Sequence, residues 1–312
     1  MFDINNCMMR QSGYADNFTT VISSGTGGAR TTFKFPENNS NIYNNNRLWP
    51  HHGFESGNTV SAFFGAYNGS MQFQGNYLAE FNYNITSSSG ITMTKLNYLN
   101  TSGIAWGQWT ISQGDSVFVY GTKLYETTYN TSAAYVARVL KTKLKSSTAG
   151  DWKFWTGTSW SNSPTAAAPI RTGLSNHLSV VKFLNTSGQA RYAIINQEVN
   201  FGTCNAGTKI YSYGLASTPT GPFNTQKVLY TITDKLPGAP AGSNTMLTYD
   251  AQAHPEHAGL GLLLISYNVN GDCTGTCNPW TLQVPADGYR PKFIRTDIKD
   301  IDASLASVAQ TW

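Results

Sequence analysis

The chain reads as strand after strand. Short runs of β-branched and aromatic residues recur from end to end, and clusters of Gly, Asn, Ser and Pro separate them. In the first half they are Thr59–Tyr67, Asn76–Tyr83, Ile91–Tyr98, Gly107–Ser112, Ser116–Tyr120 and Ala134–Leu140. In the second half they are Leu178–Leu184, Tyr192–Glu198, Lys209–Leu215, Lys227–Thr233, Leu262–Asn270, Trp280–Val284 and Lys292–Asp297. No segment has a capped apolar period of 3.6, and only Ile301–Ala309 reads as a short helix.

The runs group in fours. Segments opening near Trp49, Trp106, His177 and Asp250 are each about 50 to 70 residues long and hold three or four strands. Four-strand units at that spacing are the pattern of a β-propeller. A sandwich with long loops is the other all-β option, but it gives no reason for His or Trp to open each unit. The expectation is therefore an all-β, five-bladed β-propeller with an incomplete first blade, as a single domain over 1–312. Its partial blade is 1–48, with candidate strands at Phe2–Arg10 and Phe18–Ser23 before an Asn-rich loop over Glu37–Asn46. The full blades are about 49–104, 105–174, 175–247 and 248–300, and the tail is 301–312.

Composition says how such a chain meets solvent. Charged residues are 12%, about half the usual share, and 28 Asn outnumber the 17 Asp and Glu. Disorder would also need few aromatics, yet these are 13%, so the chain has a core. Asn, Ser, Thr and Gly cover it, a style common on extracellular and sugar-facing surfaces. The longest apolar run, Ala258–Ile265, is far short of the ~20 residues of a membrane helix. The net charge of +4 is spread thinly. Lys141, Lys143 and Lys145 form the one tight basic cluster, which reads as a solvated face of a strand or its trailing turn, so no nucleic-acid partner is expected.

Cys7, Cys204, Cys273 and Cys277 give no second ligand pair for zinc. A Cys273–Cys277 disulfide competes with a pairing of Cys204 to one of them, and either implies an oxidising compartment. Seven Asn-x-Ser/Thr sequons fit secretion, although an Asn- and Thr-rich chain also makes them by chance. The segment from Met1 to Cys7 is not a signal peptide, which suggests a mature form, a fragment or an incomplete gene model. The localisation expected is extracellular, secreted or at the cell surface.

Several strings resemble a known family. Trp152-Lys-Phe-Trp-Thr-Gly-Thr-Ser-Trp-Ser161 looks like the blade hairpin of a bacterial and fungal secreted propeller family. Ser179-Val-Val-Lys182, Pro219-Thr-Gly-Pro-Phe223, Ala253-His-Pro-Glu256, Leu264-Ile-Ser-Tyr-Asn-Val-Asn270 and Tyr289-Arg-Pro-Lys-Phe-Ile-Arg295 follow in that family's order. The resemblance covers roughly 47–297 and is to glycoside hydrolase-like five-bladed propellers of the domain-of-unknown-function type, whose relatives include endo-D-arabinanases. It implies a polysaccharide or glycan as partner. Two departures stand out. The Gly-Asp-Thr-Phe-like inner strand, with its catalytic Asp, is missing upstream. Ser175-Asn176-His177 stands where relatives have Ser-Asn-Glu. A non-catalytic glycan-binding or structural extracellular propeller is therefore the alternative function.

Glycoside hydrolysis needs two carboxyl groups flanking the bond. Glu256, beside His254 in the strongest string, is the leading catalytic candidate, with Asp250 or Glu198 as partner and Glu55 behind them. Each has a plainer role as a strand-end carboxylate on a backbone N–H or an Arg, and Arg290 is one such partner. Four of the five histidines (His51, His52, His177, His254 and His257) fall at or near blade openings, so they could converge on one channel mouth. Such a cluster suits sugar hydroxyls, phosphate or a metal ion. Without a spacing such as His-Glu-x-x-His it makes no case for a resident metal, so no cofactor is expected. The substrate-binding candidates are His51, His52, Trp106, Asn176, His177, His254, Asn268 and Arg290. Trp49, Trp109, Tyr67, Tyr267 and Tyr289 add rings near the openings, although blade-to-blade packing also uses such rings; Trp152, Trp155 and Trp160 read as a structural hairpin.

Overall fold

A computed structural model describes residues 9–11, 18–20, 47–70, 72–126, 131–198, 208–233, 246–259, 261–272 and 291–309. Two compact units divide the chain. The first is Met1–Gly121 with Ala137–Ala167 and Trp312, and the second is Thr122–Val136 with Ala168–Thr311.

The described N-terminal strands, β1 (Met9–Gln11) and β2 (Phe18–Thr20), pair antiparallel. The strands β3 (Arg47–Ser56), β4 (Thr59–Tyr67), β5 (Phe73–Asn82) and β6 (Thr92–Lys95) then form a sheet in chain order. One helical turn, α1 (Asn97–Asn100), leads to β7 (Ala105–Gln113), β8 (Ser116–Glu126) and β9 (Thr131–Leu140). The hairpin strands β10 (Trp152–Trp155) and β11 (Trp160–Ser161) continue this second sheet, and β12 (Arg171–Leu174) pairs with β9. Trp155 lies opposite Trp160 across the hairpin, so the Trp-rich string is a β-hairpin as its spacing predicts.

In the second unit, β13 (Ser179–Asn185), β14 (Ala190–Gln197), β15 (Lys209–Ala216) and β16 (Gln226–Thr231) run in order. The last sheet is β17 (Met246–Gly259), β18 (Leu262–Asp272) and β19 (Lys292–Asp297). A turn of helix, α2 (Ile298–Ile301), follows, and β20 (Leu305–Val308) pairs with β13. Four sheets are thus antiparallel meanders in chain order, the topology of propeller blades. The all-β, propeller-like expectation holds with four blades among the described residues. Most of segment 1–48 lies outside them, and so do Trp280–Val284, all four cysteines and Arg290.

One local expectation is corrected. Ile301–Ala309 is not a helix: α2 ends at Ile301, and Val308 and Ser307 face Phe183 and Leu184 across the ladder. Helix propensity over nine residues is marginal in water, and the open edge of β13 offers backbone partners while Leu305 reaches the core. The lysine cluster lies, as expected, at the turn trailing a strand: a 3₁₀ turn at Lys141–Lys143 follows β9 directly. Lys145 pairs with Glu80 at 2.6 Å and Lys143 with Asp151 at 3.8 Å, as expected of a solvated face. Among the described residues no helix is long and apolar enough to cross a membrane.

Each unit has its own core. In the second, Val181, Phe183, Ala193, Ile195, Ala251, Ala253, Leu263, Ile265 and Tyr267 bury the facing sides of the β13–β16 and β17–β19 sheets. In the first, Leu48, Phe64, Ala66, Tyr77 and Ala79 pack in the β3–β6 sheet, while Phe63, Leu78 and Trp106 are also buried. There Gly107, with φ of +90°, lies so close to Phe63 that a Cβ would come within 2.1 Å of the Phe63 Cβ. Gly107→Ala must both strain the backbone and displace a buried ring. It should destabilise the protein by roughly 2–5 kcal/mol, read as a lower urea midpoint at unchanged slope.

Candidate functional site

Bulges in β3 and β17 decide which side chains meet. In β3, Pro50 pairs with Phe64 and Gly53 with Ala62, so three steps on β3 match two on β4. That extra residue breaks the alternation of a strand, and the consecutive residues His51 and His52 both reach β7. The His51 Nδ1–H donates to the Trp106 carbonyl at 3.1 Å, which leaves Nε2 to accept from the Gln108 amide at 3.1 Å. Gly65 makes room for this ring, since a Cβ there would stand 2.8 Å from His51 Cε1. The His52 Nδ1 bonds the Thr110 hydroxyl at 2.8 Å; that hydroxyl itself donates to the Gly53 carbonyl. The His52 ring lies on Trp109 with centroids 3.9 Å apart.

His51 is thus tied to a backbone carbonyl and to a neighbouring side-chain amide. Trp106 is fully buried, packs on Phe154 and donates its indole N–H to Ser102. This corrects its expected place at a sugar surface: its apolar area closes the core.

The second unit repeats the device. In β17, Tyr249 pairs with Asn268 and Gln252 with Ser266, again three steps against two. Within this bulge Asp250 has φ of +57°, the left-handed region that Asp and Asn tolerate best among residues with a Cβ. Its carboxylate hydrogen-bonds the His177 Nδ1. Both side chains are about a quarter exposed, at 28% and 21%.

The segment before β13 is built from within. Asn196, buried in β14, accepts from the Ser175 N–H at 3.0 Å and donates to the Ser175 hydroxyl at 2.8 Å and the His177 carbonyl at 2.6 Å. Asn176 is exposed, but its carbonyls are held: Thr122 donates to the backbone oxygen at 2.7 Å and Ser132 to the side-chain oxygen. Burial pulls the His177 pKa down. The Asp250 charge and hydrogen bond more than offset that, so it lies above the ordinary 6.5.

A second cluster lies on the same strand. The His254 Nδ1 is 3.0 Å from Glu256 Oε1, and its Nε2 is 2.8 Å from the Ser266 hydroxyl. Burial alone would raise the Glu256 pKa, but the His254 hydrogen bond, a backbone N–H and the charges of His254 and His257 together hold it below the usual value. Glu198 accepts from the Thr208 hydroxyl at 3.3 Å and, at the outer limit of 3.5 Å, from Tyr211. Asn268 faces Tyr249 at the bulge, and Glu55 is exposed near the β3–β4 turn. The structure therefore brings together His177 with Asp250, and His254 with Glu256. Sequence reading passed over Asn196 and Ser266. For Ser266 a signal existed: alternation sets it on the face opposite Ile265 and Tyr267.

Sequential antiparallel meanders, with His–carboxylate pairs at the bulged β17 of the second unit, define an all-β, propeller-like protein. The sequence matches the family described as a domain of unknown function, DUF5005, over residues 1–300, and the chain belongs to that family. A comparison with curated proteins finds no match. Among solved structures, a candidate hydrolase from Bacteroides ovatus is 22% identical with a TM-score of 0.63, over 86% of this chain and 67% of that one. A thermostable family-43 glycoside hydrolase is 14% identical, covering 80% of this chain and 71% of that one, with a TM-score of 0.41. A xylan β-1,4-xylosidase from Bacillus halodurans C-125 is 11% identical, covering 84% and 41%, with a TM-score of 0.45. The first of these supports the fold.

The raised His177 pKa has a consequence for stability. A histidine whose folded pKa exceeds its unfolded value of about 6.5 stabilises the fold fully below that pH. The contribution is then lost as pH rises through the folded pKa. Asp250→Asn keeps a residue suited to the left-handed backbone and removes the charge. NMR titration of His177 should show its pKa fall in Asp250→Asn, and urea unfolding between about pH 5 and 8 should lose that component of the pH dependence.

Proposed function

We propose that this is a secreted, extracellular carbohydrate-active protein, similar to five-bladed glycoside hydrolases, that binds and cleaves a polysaccharide. In this reading segment 1–48 contributes the partial fifth blade. The observation that carries the proposal is the Asp250–His177 pair. A carboxylate held in left-handed backbone at a strand bulge, half-buried and locked to a histidine, is the kind of strained, polar arrangement that packing alone does not favour. The low charge, the Asn-rich surface and the quoted family strings support a sugar ligand.

Cleavage of a glycosidic bond needs a proton donor for the leaving oxygen and a carboxylate for the anomeric carbon or its attacking water. His177, at the position where relatives carry Glu, is kept protonated to higher pH by Asp250 and serves as donor. Glu198 or Glu256 supplies the second carboxylate. Asn176, Asn268 and Arg290 would hold sugar hydroxyls.

A second reading, glycan binding without cleavage, is favoured by His177, which stands where the resemblance expects Glu and so takes one carboxyl group out of the site.

The test is incubation of the whole chain with arabinan, xylan and related polymers, reading both reducing-end release and affinity by calorimetry. The expected result is release by the wild type and a loss of at least ~100-fold in Asp250→Asn protein that is still folded at the assay pH. Affinity without release decides for the binding module. Neither affinity nor release overturns both.

A further inference from the structure

Ser266, His254 and Glu256 form an unbroken hydrogen-bond chain. A carboxylate can only accept, so the His254 Nδ1 carries a proton and donates it to Glu256 across 3.0 Å. In the neutral ring the Nε2 is then the lone-pair nitrogen, placed to accept the Ser266 O–H across 2.8 Å. Hydroxyl to Nε2 and Nδ1–H to carboxylate is the order of contacts in serine hydrolases, a constellation recognised by geometry and roles on unrelated folds.

The strand ladder explains how it forms. Gln252 lies opposite Ser266 and His254 opposite Leu264, so His254 and Ser266 are diagonal neighbours on one face of the β17–β18 pair. Glu256 follows two residues on. The opposite face carries Leu263, Ile265 and Tyr267 into the core. On β19, Phe293 lies opposite Ser266 and Arg295 opposite Leu264, so they share the face of the triad. Phe293 is 59% exposed, and its ring lies 6.2 Å from that of His254. His254 and Glu256 keep 27% and 34% exposure. A hydroxyl hydrogen-bonded to a histidine, an accessible apolar ring and a cationic side chain thus share one half-open face.

We propose that Ser266, His254 and Glu256 form a serine-hydrolase triad acting on small acyl esters. Ser266 Oγ attacks the ester carbonyl carbon while His254 Nε2 takes its proton. The carbonyl–alkoxy bond breaks, and the alcohol leaves with that proton. Water then attacks the acyl-Ser266 and gives a proton to His254; the acid departs, and the proton returns to Ser266. Phe293 receives the acyl group, and Arg295 places positive charge on the face where the carbonyl oxygen turns anionic. Glu256 is a positioning residue that fixes the tautomer of His254. This role leaves Glu198 as the second carboxylate for glycoside cleavage.

The test exposes the folded full chain to a fluorophosphonate, which loses fluoride to an activated serine Oγ, and maps the adduct by peptide mass spectrometry. Hydrolysis of p-nitrophenyl acetate is read in parallel. The expected result is an adduct on Ser266 that is lost in His254→Gln, with ester turnover down at least ~100-fold in Ser266→Ala. Glu256→Gln should lower turnover, and Glu256→Asp should restore part of it. No adduct on Ser266 in the wild type overturns the proposal, whatever the variants do. So does labelling that is undiminished in a folded His254→Gln protein, or ester turnover unchanged in Ser266→Ala. Reducing-end release from polysaccharide is a separate readout, so failure of the ester chemistry and failure of the carbohydrate reading are told apart.

Discussion

The Asn196 side chain holds the second unit's candidate site in place. It is almost fully buried, and its amide closes three hydrogen bonds onto Ser175 and His177. A buried polar group left unpaired costs about 1–3 kcal/mol, so the loop has one satisfied arrangement near this amide and poor alternatives. That arrangement delivers His177 to Asp250. The first unit uses the same device. Buried Asn76 accepts from the Trp106 N–H at 2.7 Å and donates to the Ile104 carbonyl at 3.0 Å, which fixes the entry to β7. An Asn-rich chain thus uses its amides inside as well as outside. Where a charged residue would need a counter-ion, an amide supplies donor and acceptor together and stays neutral.

Strand bulges supply the second constraint. A regular strand sends alternate residues to opposite faces, so His51 and His52 would part company. One extra residue in β3 sends both to β7, and one in β17 places Asp250 in the left-handed region against His177. Core packing makes the local strain tolerable. Ala251 and Ala253 are buried beside the bulge, so β17 cannot slide to a regular register without exposing its apolar face. The polar residues that meet at the bulges are therefore placed by apolar neighbours.

Much of the fold was legible in the residues. Period-two runs marked most of the described strands, and the Trp-rich string marked a hairpin. The tail was misread because Ile301–Ala309 is too short for local propensity to decide between helix and strand, and β13 decided it. The site was legible in parts. Glu256 and His254 are two residues apart on one strand, so their contact follows from the strand period. Asp250 and His177 are 73 residues apart, and no local pattern joins them. Trp106 illustrates the opposite error: a ring at a blade opening has the composition of a sugar platform, but burial assigns it to the core.

The sequence by itself determined that the chain is all-β, that its strands run as sequential antiparallel meanders, and that its surface is polar rather than charged. These follow from side-chain shape, the two-residue strand period and turn-forming residues, all of them local. Only the tertiary structure decided which polar residues meet. Ser266 joins His254 and Glu256 because the β17–β18 register sets them on one face. His177 meets Asp250 because a bulge turns one carboxylate out of its strand while a buried amide holds the loop opposite. Register, bulge position and loop closure are set by the packing of several strands at once, so no single stretch of sequence encodes them.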